Sequence, residues 1–96
     1  MAPTPDQERD DQPTVDFYWR PGCGFCWNLK RKLGKAGVAM VEHNIWEDPD
    51  AAAVVRAAAR GNETVPTVGV GGEYLVNPSA AQVVALVERH HPDHGT

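Results

Sequence analysis

The sequence predicts a single α/β domain with its elements in the order βαβαββα. Three observations carry this. Ninety-six residues leave room for one core and no second folding unit. Short aromatic and β-branched runs alternate with longer helix-forming runs. The last two strand patterns follow each other directly, split by Gly71-Gly72, a two-residue hairpin signal.

The first strand is Val15-Asp16-Phe17-Tyr18-Trp19, bounded by Pro13 and Pro21-Gly22, and its apolar character marks it as central. From Gly24 to Ala36, Phe25, Trp27, Leu29 and Leu33 fall partly at helical spacing, basic residues gather toward the end, and Gly37 is the stop. Val38 to Ile45 resumes a strand pattern. Glu47-Asp48-Pro49-Asp50 then supplies cap and first-turn residues for an alanine-rich helix over Ala51 to Arg60, stopped by Gly61-Asn62. Thr67–Val70 and Glu73–Val76 form the hairpin. Asn77-Pro78 reads as N-cap and first position of a final helix with Val83, Val84 and Val87 on its apolar face.

A hydrophobic content of 42% with 23% charged residues excludes a wholly disordered chain and a collagen-like repeat. A net charge of -4 argues against nucleic acid as a partner. No apolar stretch approaches the roughly 20 residues of a membrane span, and the N-terminus has neither the basic nor the apolar region of a secretory signal. The expected location is the cytoplasm. Residues 1–13 hold three prolines and five charges with almost nothing apolar, which predicts a flexible tail; the domain proper is expected over 14–91, with a second short tail over 92–96. Charge is unevenly spread: between Val15 and Met40 stand Arg20, Lys30, Arg31, Lys32 and Lys35 against Asp16 alone.

Both cysteines lie in that basic stretch, as Cys23-Gly24-Phe25-Cys26 between a strand and a helix. Free amides and the dipole at a helix N-terminus favour an anion, so a thiolate on the first cysteine is stabilised, and thiolate is the nucleophile of disulfide exchange. The second cysteine, about one turn on, can reach back to close a disulfide. Two alternatives stand beside this redox reading. A structural bridge closing so small a loop gains little loop-closure stabilisation. A zinc site needs further cysteines or histidines, and His43 is the sole histidine in the body of the domain, so no metal ligands are assigned.

A second motif, Thr64-Val65-Pro66-Thr67, precedes the third strand. With it the sequence resembles the thioredoxin-fold proteins, and more narrowly the glutaredoxins, over roughly Val15 to His90. The resemblance implies a thioredoxin fold, with a four-stranded mixed sheet flanked by three helices. It implies that Cys23 is the nucleophile, Cys26 the resolving thiol and Pro66 a cis proline that keeps an N–H from facing the sulfur. Val65 would then hold the thiol substrate by main-chain hydrogen bonds, with Thr64, Gly24 and Phe25 beside it in the substrate site. Arg20 stands where many glutaredoxins have a lysine.

Glutathione-using members carry Gly-Gly-x-Asp after the last strand to hold the glutamyl end of glutathione; this chain has Val76-Asn77-Pro78-Ser79. That stretch, Gly61-Asn62 before Thr64-Val65-Pro66, and Cys-Gly-Phe-Cys in place of Cys-Gly-Tyr-Cys are similar to the mycoredoxins, bacterial relatives that use mycothiol. The resemblance implies an enzyme that reduces mixed disulfides between proteins and a small thiol, with no tightly bound cofactor. Mycothiol is the expected co-substrate and glutathione the alternative, thiolated or disulfide-bonded proteins are the partners, and the protein acts as a monomer. Asn77 and Ser79 would meet the sugar part of mycothiol. Two other functions fit a Cys-x-x-Cys protein: a dithiol donor recharged by a thioredoxin-type reductase or serving ribonucleotide reductase, and an iron–sulfur or metal-carrying module.

Trp27, next to Cys26, fits either a substrate-facing wall or helix-flank packing, whereas Trp19 and Trp46 at strand ends suit core or rim packing. Lys30, one turn beyond Cys26, can add to the positive field or simply face solvent. His90, His91 and His94 read as a frayed terminus.

Overall fold

Strand β1 (Val15–Trp19) is paired on both sides, as its apolar composition predicts. It runs parallel to β2 (Met40–Asn44) and antiparallel to β3 (Thr67–Val70), and β3 pairs antiparallel with β4 (Glu73–Val76), giving the order β2-β1-β3-β4. Helices α1 (Gly24–Lys35), α2 (Pro49–Ala58) and α3 (Ala80–Arg89) complete the expected βαβαββα order. The computed structural model describes residues 13–90. The tails assigned to 1–13 and 92–96 therefore lie outside the described residues, Pro13 aside.

Alternation along β1 sends successive side chains to opposite faces and so divides two cores. Val15 and Phe17 join Val68 and Val70 of β3 under α1, through Cys26, Leu29 and Leu33, and under α3, through Val83 and Leu86. Tyr18 faces the other way, against Ile45 and the small residues Ala51, Ala52 and Val55 of α2. Among the described residues no helix is long and apolar enough to cross a membrane.

Helix ends follow local chemistry. Cys23 is the N-cap of α1, and Gly37, at φ +79°, turns the chain out of it. Asp48 caps α2 by accepting from the N–H groups of Asp50 and Ala51, with Pro49 in the first turn. This helix starts and stops two residues earlier than its alanine run suggests, and Arg60 and Gly61 leave it with positive φ. Gly71 and Gly72, at φ +56° and +88°, make the tight turn from β3 to β4, as the Gly-Gly pair predicts.

Two expectations at the end of the chain are corrected. Asn77 has φ +53°, whereas an N-cap is extended, and the N-cap of α3 is Ser79. Ser79 and Gln82 form a reciprocal capping box that the Asn-Pro pair obscured in the sequence. His90 is not frayed: it caps the C-terminus of α3, half-buried, with Nε2 3.4 Å from Oε1 of Glu73. Arg89 pairs with the same carboxylate, tying α3 to the hairpin. His91 and His94 lie outside the described residues.

Candidate active site

The end of β1 and the start of α1 place Cys23. After Trp19 the chain turns at Pro21-Gly22, with Gly22 at φ +79°, and delivers Cys23 in extended backbone at the helix mouth. Its Sγ accepts a hydrogen bond from the main-chain N–H of Cys26 at 3.0 Å. Cys23 is partly exposed and Cys26 is buried at 3%. The two are joined as a disulfide, with Cα atoms 5.2 Å apart. An attacking partner therefore meets Cys23 first, while Cys26 packs in the core beneath it.

The Thr64-Val65-Pro66 loop lies opposite. The Val65-Pro66 bond is cis, Pro66 is buried, and the carbonyl oxygen of Val65 is 4.0 Å from the Sγ of Cys23. Thr67 braces the loop by donating its hydroxyl to the carbonyl of Thr64 at 2.7 Å. The N–H of Asn77 donates to the carbonyl of Pro66 at 2.7 Å, which anchors the end of β4 to the same loop.

The remaining predicted residues fall in two groups. Gly24, Phe25 and Arg20 surround Cys23: Phe25 projects from the first turn of α1 with 76% of its surface exposed, and the Arg20 guanidinium lies 5.7 Å from the Trp46 ring centre. Trp46 is thus an exposed partner of Arg20 rather than core packing. Ser79 sits at the start of α3, where its N–H donates to Oε1 of Gln82 at 2.8 Å and its Oγ accepts from the N–H of Gln82 at 3.1 Å.

A cavity of about 390 Å³ opens on the other side of the cysteine pair, between α1 and the edge strand β2. Trp19 and Trp27 line it together with Lys30 and Glu42, whose Nζ and Oε2 are 3.0 Å apart. Trp27 is 71% exposed, so little of it packs against the helix flank. Glu42 escaped the sequence reading, since only the parallel β1–β2 register, with Glu42 opposite Phe17, puts it near α1. Among the described residues no three His, Cys, Asp or Glu side chains gather to hold a metal ion.

The one strongly shifted aromatic acid lies on the opposite face of the sheet. Burial, followed by the nearby Asp16, Tyr74 and Asp48, pushes Tyr18 up to about 12. Its ring stacks on His43, which pairs with Asp16 at 3.0 Å. Tyr18 is accordingly a protonated structural group behind the site.

The family model for Glutaredoxin matches residues 15–75, the span that holds both the cysteine turn and the cis-proline loop. The chain belongs to the glutaredoxin family. Glutaredoxins are generally thiol–disulfide oxidoreductases, in agreement with the cysteine pair. A hybrid peroxiredoxin from Haemophilus influenzae, hyPrx5, is 34% identical over 64 residues; they make up 67% of this chain and 26% of that protein, so the likeness spans about a quarter of the relative's length. Among solved structures, the glutaredoxin-like protein NrdH-redoxin from Escherichia coli aligns with a TM-score of 0.60 and 25% identity, covering 82% of this chain and 96% of that one. The glutaredoxin from Brucella melitensis aligns with a TM-score of 0.60 and 24% identity over 83% and 84% of the two chains, which speaks to the fold. The thioredoxin-like fold of this glutaredoxin is the four-stranded mixed sheet with three helices expected from its sequence.

Proposed function

We propose that this glutaredoxin reduces mixed disulfides between proteins and mycothiol, with mycothiol as its co-substrate. The observation that carries the chemistry is the Cys26 N–H held 3.0 Å from the Sγ of a partly exposed Cys23, at a helix N-terminus. In the reduced enzyme the Cys23 thiolate attacks the mycothiol sulfur of the mixed disulfide, and the protein thiolate leaves and takes up a proton. A second mycothiol thiolate then attacks the mycothiol sulfur on Cys23, releasing the mycothiol disulfide and regenerating Cys23. Alternatively the Cys26 thiolate attacks the Cys23 sulfur, releasing mycothiol and leaving the Cys23–Cys26 disulfide. Val65, with Thr64 and Pro66, would line the bound thiol through its main chain, while Gly24, Phe25 and Arg20 flank the sulfur.

The preference for mycothiol over glutathione is supported at the start of α3. There the Ser79–Gln82 capping box already uses donors that a glutamyl carboxylate needs, and Pro78 has none to give. The enzyme acts as a monomer in the cytoplasm. Turnover of one mixed disulfide with mycothiol, glutathione and a thioredoxin-type reductase offered separately tests the reading; mycothiol is expected to exceed glutathione by at least about tenfold, a preference of about 1.4 kcal/mol. Equal or better turnover with glutathione overturns it.

A second reading is a dithiol donor recharged by a thioredoxin-type reductase. It is favoured by the likeness to the E. coli NrdH-redoxin, a protein described by its thioredoxin-like activity profile. Fast turnover with the reductase alone would select it.

A further inference from the structure

The cavity between α1 and β2 is bordered by Cys23, Gly24 and Cys26 and by none of Thr64, Val65 and Pro66, and its wall of Trp27, Lys30 and Glu42 has no part in the function proposed above. Its volume of about 390 Å³ falls within the roughly 300–1,000 Å³ of small-molecule sites. Cys23 itself forms part of its lining, so a group carried on the Cys23 sulfur has direct access.

Its chemistry is mixed. Trp19 and Trp27 give aromatic surface, and Trp27 is held largely clear of the core. Lys30 supplies donors and Glu42 acceptors, in a half-exposed ion pair 3.0 Å across. The indole N–H of Trp19 is buried without an acceptor among the described residues. An apolar side chain seated here would strip water from the Lys30–Glu42 pair and offer it nothing. An anion drawn by Arg20 and Lys30 meets Glu42, and a cation meets both basic groups. A ring polyol suits every part: its C–H faces lie against indole, and its hydroxyls donate to Glu42 and accept from Lys30.

We propose that this cleft binds the polyhydroxyl head group of the thiol co-substrate, with Trp27, Lys30 and Glu42 as specificity-determining residues. The proposal rests on the mycothiol reading, and it moves the sugar away from Asn77 and Ser79 to the opposite side of Cys23.

Titration of the reduced protein with the glucosamine–inositol pseudodisaccharide lacking the cysteinyl group separates the two ideas. The indole N–H resonances of Trp19 and Trp27 are expected to shift saturably and by more than that of Trp46, which is outside the lining and touches it only through Arg20. In kinetics, Trp27→Ala is expected to raise KM for a mycothiol mixed disulfide by up to about tenfold more than KM for the corresponding cysteine adduct, the scale of a lost aromatic stack with its buried area. Glu42→Gln is expected to weaken pseudodisaccharide binding with the indole walls intact. No saturable shift at Trp19 or Trp27, or equal KM effects on the two adducts, overturns the cleft assignment even where mycothiol remains the preferred thiol. Saturable binding by an enzyme that turns over glutathione equally well keeps the cleft and removes the mycothiol function.

Discussion

The main-chain N–H of Cys26 donates to the Sγ of Cys23 at 3.0 Å, so the resolving cysteine stabilises its partner through its backbone as well as through its own sulfur. The two contributions are separable by mutation, because a side-chain change at position 26 leaves the N–H in place. Cys26→Ser is expected to retain mixed-disulfide reduction through the one-cysteine route, whereas Cys23→Ser abolishes it. Steady-state assays of both variants decide; activity in Cys23→Ser reverses the roles.

The same hydrogen bond and the helix dipole predict that Cys23 of the reduced protein ionises at lower pH than free cysteine. Arg20 lines the same cavity as Cys23, and no acidic side chain among the described residues holds its guanidinium, which lies near Trp46 and donates to the carbonyl of Pro21 at 3.3 Å. Its charge is therefore available to the site. Thiolate ultraviolet absorbance followed against pH should show an early midpoint that moves upward in Arg20→Ala. An unshifted midpoint in the variant removes Arg20 from the field.

Local signals made much of this molecule legible. Val15–Trp19, Gly71-Gly72, the cysteine turn and the Thr64-Val65-Pro66 loop each carry their structure in a few adjacent residues. What escaped depends on pairing across the chain. Glu42 reaches Lys30 only through the parallel register that follows the α1 crossover, and Trp46 reaches Arg20 because Ile45 extends the β1–β2 pairing by donating to the carbonyl of Trp19 at 2.9 Å. His90 looked like a terminus because its partner, Glu73, lies in a hairpin seventeen residues earlier. At Asn77 two local signals competed, and the reciprocal hydrogen bonds of Ser79 and Gln82 outweighed the Asn-Pro pair.

The tie between α3 and the hairpin is expected to show in acid. The hydrogen bond from Arg89, with His90 Nε2 3.4 Å away, holds Glu73 below its usual carboxylate value of 4.5. A depressed folded-state value means the contribution is present above the unfolded value and is lost as pH falls through the folded one. The pair is exposed, so the effect is small and screened by salt. Thermal unfolding of wild type and Glu73→Gln should differ at neutral pH and converge as pH falls from 4.5 through the lower folded-state value. A constant difference across that range refutes the linkage.

Tyr18 gives the opposite sign in alkali. Its folded-state value of about 12 lies above the ordinary 10.0, so its contribution is complete below pH 10.0 and is lost as pH rises toward 12. Tyr18→Phe cannot ionise, and its stability is expected to fall less steeply than that of wild type over this interval. Denaturant midpoints at a series of alkaline pH values give the comparison; parallel curves would show that the phenol does not carry the shift.

The capping box links helix stability to thiol choice. Ser79 Oγ occupies the N–H of Gln82, and Gln82 Oε1 occupies the N–H of Ser79, so both are withheld from any ligand at the start of α3. Gln82→Ala leaves the Ser79 hydroxyl able to cap, since that bond goes to the backbone of position 82, but it frees the Ser79 N–H. A carboxylate approaching a helix N-terminus gains from each free donor and from the dipole, whereas an uncharged polyol gains little from the dipole. The variant should therefore raise kcat/KM for glutathione relative to mycothiol by a few-fold, the scale of one hydrogen bond of about 1 kcal/mol. Ser79→Ala, by contrast, removes the cap itself and should cost about 0.5–2 kcal/mol of stability. If the thiol ratio in Gln82→Ala matches wild type, the capping box is a structural feature alone, and discrimination against glutathione must arise elsewhere around Cys23.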